Sequence, residues 1–231
     1  LTYKLCKMNL EKNIKGLCSK NGIHFQDFLS DFGVEHVHEL SVFDLEAICE
    51  EYEIPMQTIM FKSIALEADL LNKIQKIKLI ILDVDGVMTD GGMTFTANGD
   101  EQKKFNTKDG MGIMQTVKKG IEIGIISSGF SDQIVKKRAE MLGIKNCYVG
   151  RDAKIDVLDQ WIQEKNLSYD EVAMIGDDIN DLSVMNKIGF SACPSDSVNE
   201  IKSTCDVILQ KEGGSGCVRE FIDDYISHKK N

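Results

Sequence analysis

From residue 77 onward the sequence alternates short β-branched runs with amphipathic stretches, and this alternation restricts the fold more than any other feature. The runs occupy 79–82, 121–126, 147–149, 172–175 and 206–209. Between them apolar residues recur at helical spacing, over about 110–119, 131–142, 153–165, 179–187 and 197–203. Strands separated by helices pair in parallel through right-handed crossovers, so the expected class is α/β, a doubly wound Rossmann-like parallel sheet. One segment breaks the rhythm. Residues 93–96, 97–100 and 101–105 read as strand, turn and strand, with Asn98-Gly99 at the turn, which predicts a β-hairpin inserted after the first strand.

The first 76 residues follow a different period. Leu10, Ile14, Leu17 and Cys18, then Phe25, Phe28, Leu29 and Phe32, then Leu45, Ile48 and Cys49 recur as one face of successive helices. Asn21-Gly22 and Gly33 separate them, Ser41 can cap the helix after it, and Pro55 stops or restarts the pattern. The expected organisation is a small all-α domain at 1–76 and an α/β domain at 77–231.

A formal charge of −10 over 231 residues argues against general binding to nucleic acid or anionic membranes, since both require a basic surface. No stretch approaches the roughly 18 to 20 continuous apolar residues of a membrane helix, and residues 1–10 lack the apolar core of a signal peptide. The expected location is the cytoplasm. The seven cysteines are scattered with no C-x-x-C pair, so reduced thiols are expected rather than disulfides or a zinc site.

Ligands of open α/β sheets sit beyond the carboxyl ends of the strands. The residues there are Asp83-Val84-Asp85-Gly86 after the first run, Ser127-Ser128-Gly129 after the second, and Gly176-Asp177-Asp178, with Asp181 close behind, after the fourth. Lys154 opens the helical stretch after the third run. Asp83, Asp85 and Asp177 would concentrate more negative charge than a small crevice holds ionised without a cation, and an oxygen-only set with few ligands suits Mg²⁺. Asp83 could attack phosphorus, Asp85 could serve as acid and then base, Ser127 could hold a phosphate oxygen, and Lys154 could neutralise charge in the transition state. Asp178 and Asp181 could act at the metal or merely cap the next helix.

These residues carry a resemblance. Leu79-Ile80-Ile81-Leu82-Asp83-Val84-Asp85-Gly86-Val87, Ile125-Ile126-Ser127-Ser128-Gly129-Phe130, Lys154, and Gly176-Asp177-Asp178-Ile179-Asn180-Asp181 are similar, in this order, to the four motifs of haloacid dehalogenase-type phosphotransferases. The resemblance implies a Mg²⁺-dependent phosphatase with Asp83 as nucleophile, Asp85 as acid/base, and Asp83, Asp85 and Asp177 around the metal. Neither gap between motifs has room for a large cap. Asp90-Gly91-Gly92 with the hairpin, the stretch from Lys104 to Ile113, and Gly213-Gly214-Ser215-Gly216 resemble the 3-deoxy-D-manno-octulosonate 8-phosphate phosphatases and their relatives acting on nonulosonate 9-phosphates. That likeness implies a phosphorylated 2-keto-3-deoxy sugar acid as substrate, in lipopolysaccharide or sialic acid biosynthesis. It also implies contacts from Thr89, Asn106, Lys108, Asp109, Gly110 and Gly214, and a homotetramer in which hairpins form a central barrel and neighbours complete the site. Two departures, Ser128-Gly129-Phe130-Ser131 after the serine motif and Ser215 in the glycine tail, leave the sugar acid open. Ser128 is the alternative to Ser127, because the motif aligns only with a one-residue insertion.

Residues 9–61 resemble a phage-repressor-type helix-turn-helix. Where a recognition helix would lie stands Glu35-His36-Val37-His38-Glu39, short and acidic, and no arginine occurs before residue 76. Packing, oligomerisation or partner contact is the expected role there. The competing readings of the whole chain are a non-catalytic oligomerisation module associated with a sugar-acid cytidylyltransferase, and a regulator whose first domain binds DNA.

Overall fold

The four-residue run Leu79–Leu82, apolar at every position, is buried throughout and becomes the strand on which both halves of the sheet are hung. The computed structural model describes residues 10–61, 68–129 and 132–229. Of residues 1–10, where a signal peptide was not expected, only Leu10 is described; Phe130 and Ser131 of the serine motif lie outside the described residues. The chain forms two compact units, 1–68 and 69–231.

In the first unit the helices are α1 (Leu10–Asn21), α2 (Phe25–Asp31), α3 (Val42–Glu51) and α4 (Met56–Phe61). Ile14, Leu29, Ile48 and Ile59 close a single core between them. Asn13 is buried inside it because its amide donates to the Ile59 carbonyl at 2.7 Å, which satisfies the polar group the core would otherwise strand. Ser41 caps α3 as expected, accepting from Asp44 N. The stretch 35–39 contains only one 3₁₀ turn, Val37–Glu39, where a recognition helix would have been needed.

Helix α5 (Ala68–Lys76), within the 1–76 domain expected from sequence, belongs to the second unit from residue 69 on. Lys73 pairs with Asp206 at 2.5 Å and Gln75 donates to the His228 carbonyl at 2.9 Å, so α5 packs with the sheet. The two compact units divide at 68/69.

The main sheet has six parallel strands: β1 (Leu79–Leu82), β4 (Glu122–Ser127), β5 (Asn146–Val149), β6 (Val172–Ile175), β7 (Phe190–Cys193) and β8 (Val207–Ile208). Their order is β5-β4-β1-β6-β7-β8. The chain works outward from β1 to β5, then returns to β6 on β1's other side, so the strand order reverses beside β1. Leu79 is level with Glu122 on one side and Val172 on the other, and Leu82 with Ile125 and Ile175. The carboxyl ends of β1, β4 and β6 thus open at one height onto one crevice. Helices α6 (Thr107–Lys118), α7 (Asp132–Leu142), α8 (Lys154–Lys165), α9 (Leu182–Met185), α10 (Asn199–Thr204) and α11 (Cys217–Asp224) complete the unit. Among the described residues no helix is long and apolar enough to cross a membrane.

Two expectations needed correction. Strand β7 was not foreseen, since Phe190-Ser191-Ala192-Cys193 lacks β-branched residues; it forms because Phe190 packs against Phe221 and Tyr225, with ring centroids 5.3 and 5.8 Å apart. The hairpin is shorter than its pattern: β2 (Thr94–Phe95) and β3 (Glu101–Gln102) pair for only two residues. Its turn forms as expected, with Gly99 at φ +87°, but among the described residues no further strand joins the pair.

The glycine tail docks. Gly214 donates to the Val87 carbonyl at 2.9 Å, and Cys217 lies against the same carbonyl at 3.2 Å. Gly214 sits at φ +64°, and a β-carbon there would come within 2.6 Å of Asp90 N. Gly214→Ala is expected to lower unfolding free energy by at least about 2 kcal/mol through backbone strain and the clash combined. Urea denaturation of wild type and variant side by side checks this.

Candidate active site

Leaving β1, the chain enters a wide turn over Val84–Met88 in which Asp85 stays extended and Gly86 adopts φ +84°. Glycine is required for space as well, because a β-carbon at 86 would lie 2.0 Å from Asp177 Oδ2. Asp83, almost fully buried, extends the β1–β6 ladder by donating its N–H to the Ile175 carbonyl at 3.1 Å. Its Oδ1 accepts from Val84 N at 2.7 Å, and its Oδ2 faces the Lys154 ammonium at 2.9 Å.

Lys154 is the first residue of α8 and is itself buried. It also bonds Asp181 Oδ1 at 2.6 Å. The other Asp181 oxygen accepts from Asp177 N at 3.0 Å and Asp178 N at 3.4 Å, so this carboxylate, fully enclosed, clamps the loop after β6 to the lysine. Asp178 caps the short turn Ile179–Asp181 by accepting from Ile179 N, the structural alternative the sequence had left open.

Burial pushes the Asp83 carboxyl up to about 7, with Asp181 adding to the rise and Lys154 opposing it. Burial likewise drives Asp177 up to about 8, reinforced by the charges of Asp83 and Asp181. Lys154 would be lowered by burial, but Asp83 and Asp181 outweigh that and hold it above its ordinary value. One ammonium thus faces three carboxylates. Asp83, Asp177 and Asp181 bring ligand atoms within 4.8 Å of one another, and Asp177 Oδ1 is buried with no hydrogen-bond partner among the described residues. An orphaned oxygen in an acidic, oxygen-only pocket fits a divalent cation. All three carboxylates border the place for it, and Asp177 Oδ1 is the buried oxygen among them with no hydrogen-bond partner.

The carboxylate of Asp85, expected in the metal set, is directed elsewhere. Its Oδ1 is taken by Lys103 Nζ at 2.5 Å, and the Thr89 hydroxyl lies 3.5 Å from the same oxygen. Ser127 ends β4 in a buried position and its Oγ accepts from Gly129 N at 3.1 Å; Ser128 instead lies 3.4 Å from the Asn180 amide. A β-carbon on Gly129 would be 3.2 Å from Ser127 Oγ and 3.4 Å from Asp85 Oδ2, so both atoms border one small space beside Gly129.

The other anticipated contacts build a joint. Asn106 caps α6, accepting from Lys108 N at 2.8 Å, and donates to the Gly214 carbonyl at 3.0 Å. Asp109 is buried and accepts from Arg219 N at 2.8 Å, so it fastens α6 to the start of α11; burial pushes its carboxyl up to about 6. A β-carbon on Gly110 would lie 2.4 Å from Arg138 Nη2, so this glycine keeps α6 and α7 close. Lys108 is exposed. Sequence reasoning missed Lys103 and Glu101, whose ammonium and carboxylate are 2.7 Å apart. Two opposite charges at i and i+2 on one face of a hairpin arm were the signal available.

The chain is similar to known proteins. Residues 150–221 match the family model of haloacid dehalogenase-like hydrolases. The 3-deoxy-D-manno-octulosonate 8-phosphate phosphatase KdsC of Escherichia coli is 36% identical over 158 residues, covering 68% of this chain and 84% of the relative. A probable YrbI family phosphatase from Pseudomonas syringae superimposes with a TM-score of 0.69 at 38% identity, over 71% of this chain and 93% of that one. The octulosonate phosphatase of Moraxella catarrhalis, solved with magnesium, phosphate and KDO, gives 0.68 at 30% identity, over 71% and 94%.

The raised carboxyls set a pH dependence. In metal-free protein Asp83 and Asp177 keep protons up to about pH 7 and 8, whereas the unfolded chain releases them near the ordinary aspartate value of 3.8. The native state then binds more protons across that window, so its stability falls as pH rises through it. Urea midpoints in chelator should be lower at pH 8 than at pH 6, and Mg²⁺ should raise the midpoint more at pH 8, where the carboxylates are ionised.

Proposed function

This chain belongs to the haloacid dehalogenase-like hydrolases, among phosphatases of the KdsC type, and from that premise we propose that it dephosphorylates a 2-keto-3-deoxy sugar acid, octulosonate 8-phosphate or a nonulosonate 9-phosphate. The observation that carries the reading is the buried Asp83 at the end of β1, ion-paired to Lys154 and beside the orphaned oxygen of Asp177. Asp83 and Asp177 would hold Mg²⁺, which would supply the positive charge that lets an anionic carboxylate meet an anionic phosphate.

The chain's own residues do the rest. An Asp83 oxygen forms a bond to phosphorus as the bond to the sugar oxygen breaks, giving an aspartyl phosphate. Asp85 gives a proton to the departing sugar oxygen and then takes one from the water that attacks phosphorus and frees Asp83. Ser127 donates to a phosphate oxygen, and Lys154 holds its charge against the developing negative charge. The proposed substrate contacts are Thr89, close to Asp85, and the exposed Lys108, with Asn106, Asp109, Gly110 and Gly214.

A homotetramer accompanies this reading. Met93 and Phe95 on the short hairpin are 63% and 55% exposed, an apolar edge that a second copy would cover. Neighbouring subunits would then restrict the opening of a site that no cap covers among the described residues. The competing catalytically silent module has no use for a buried lysine between two aspartates, and against the DNA-binding reading the stretch 35–39, where the sequence placed a recognition helix, holds the 3₁₀ turn Val37–Glu39.

Phosphate release in Mg²⁺ from octulosonate 8-phosphate, nonulosonate 9-phosphates and simple esters tests the proposal, with Asp83→Asn alongside. The expected outcome is a sugar-acid preference, with turnover reduced at least about 10³-fold in the variant. Rates on sugar acids no better than on simple esters overturn the substrate, and unchanged turnover in Asp83→Asn overturns the nucleophile.

A further inference from the structure

The hairpin sends one side chain into the site. Lys103 comes directly after β3 on the descending arm, its side chain is only 4% exposed, and its ammonium lies 2.5 Å from Asp85 Oδ1 and 2.7 Å from Glu101 Oε1. A buried ammonium is costly unless carboxylates compensate it, and here two do. Burial would lower its pKa, but Asp85 and Glu101 together hold it above its ordinary value. With its charge so engaged, Lys103 is poorly placed to be the cation that captures a substrate anion.

What it does control is the aim of Asp85. That residue lies in an extended stretch of the wide turn, with a side chain 40% exposed and room to rotate. Lys103 fixes Oδ1. Oδ2 is then the oxygen left beside the small space that a β-carbon on Gly129 would fill, a space that Ser127 Oγ also borders.

We propose that Lys103 is a positioning residue for the acid/base Asp85, pinning Oδ1 so that Oδ2 carries the proton to the leaving oxygen and later receives one from water. This rests on Asp85 having that role, and it makes the hairpin part of the catalytic apparatus. In the first step the Asp83–phosphorus bond forms, the phosphorus–leaving-oxygen bond breaks, and the proton passes from Oδ2 to that oxygen. In the second, water oxygen bonds phosphorus, its proton goes to Oδ2, and the Asp83–phosphorus bond breaks.

The test compares kcat/KM on an alkyl phosphate, whose alkoxide needs the proton, with that on 4-nitrophenyl phosphate, whose phenolate leaves without it. Lys103→Met should lose about 100-fold on the alkyl ester but less than about 5-fold on the aryl ester, the span general-acid loss predicts. Lys103→Arg, which keeps the charge and guards against a Met variant that does not fold, should hold the alkyl-to-aryl ratio within about threefold of wild type. Equal losses on both esters, or none on either, overturn the proposal, as does an Arg ratio displaced as far as the Met ratio. Both probes are generic esters, so a wrong sugar acid in the functional reading appears only in the substrate panel and leaves this comparison intact.

Discussion

The buried Lys154 ammonium between Asp83 and Asp181 is the interaction to which the rest of the molecule is fitted. Opposite charges about 4 Å apart attract by about 4 kcal/mol at an effective dielectric near 20, and desolvation opposes that gain. The arrangement holds because its partners are fixed by main chain. Asp83 is tied to Val84 N, and Asp181 to the amides of Asp177 and Asp178, so neither carboxylate has to be ordered when a substrate arrives. Burial, reinforced by the negative charge left over, makes Asp177 resist ionisation, and that leftover charge is why a cation suits the pocket.

Sheet topology supplies the coordinates for this cluster. The reversal of strand order beside β1 puts three strand ends at one level, and the positions of Asp83, Ser127 and Asp177 are set directly by the register. Glycines then let separate backbone segments meet: Gly86 admits the Asp177 carboxylate, while Gly213 and Gly214 bring the tail against the turn after β1. Those contacts are steric, and a single methyl group would fill the space they use.

The parts legible from sequence were those encoded by local pattern. The apolar run before Asp83 could only be an interior strand, and a lysine opening the helix after the third run had an evident use once the aspartates were in view. Strand β7 was illegible because its stability comes from Phe221 and Tyr225, more than thirty residues later, and not from its own composition. Lys103 was hidden for a similar reason, since its partner Asp85 is reached only through the fold of the hairpin arm. Asn106, Asp109 and Gly110 were singled out by a family pattern, and their bonds that join α6 to the tail and to α7 depend on contacts distant in sequence. The helix α5 has a helical period that groups it with the helices before it, but its ion pair with Asp206 ties it to the six-stranded sheet unit.

Because β1 is flanked by β4 on one side and by β6 on the other, the chain must travel out and back before its first strand is enclosed. On a ribosome, Asp83 and Ser127 emerge well before Lys154 and the aspartates after β6, so the nascent protein holds half of a charge cluster and none of its compensation. Closing the long loop between residues 79 and 172 carries the larger entropic cost, and the acidic pocket comes into being only with that closure. Competence to bind a metal is therefore a property of the finished topology, acquired late and all together.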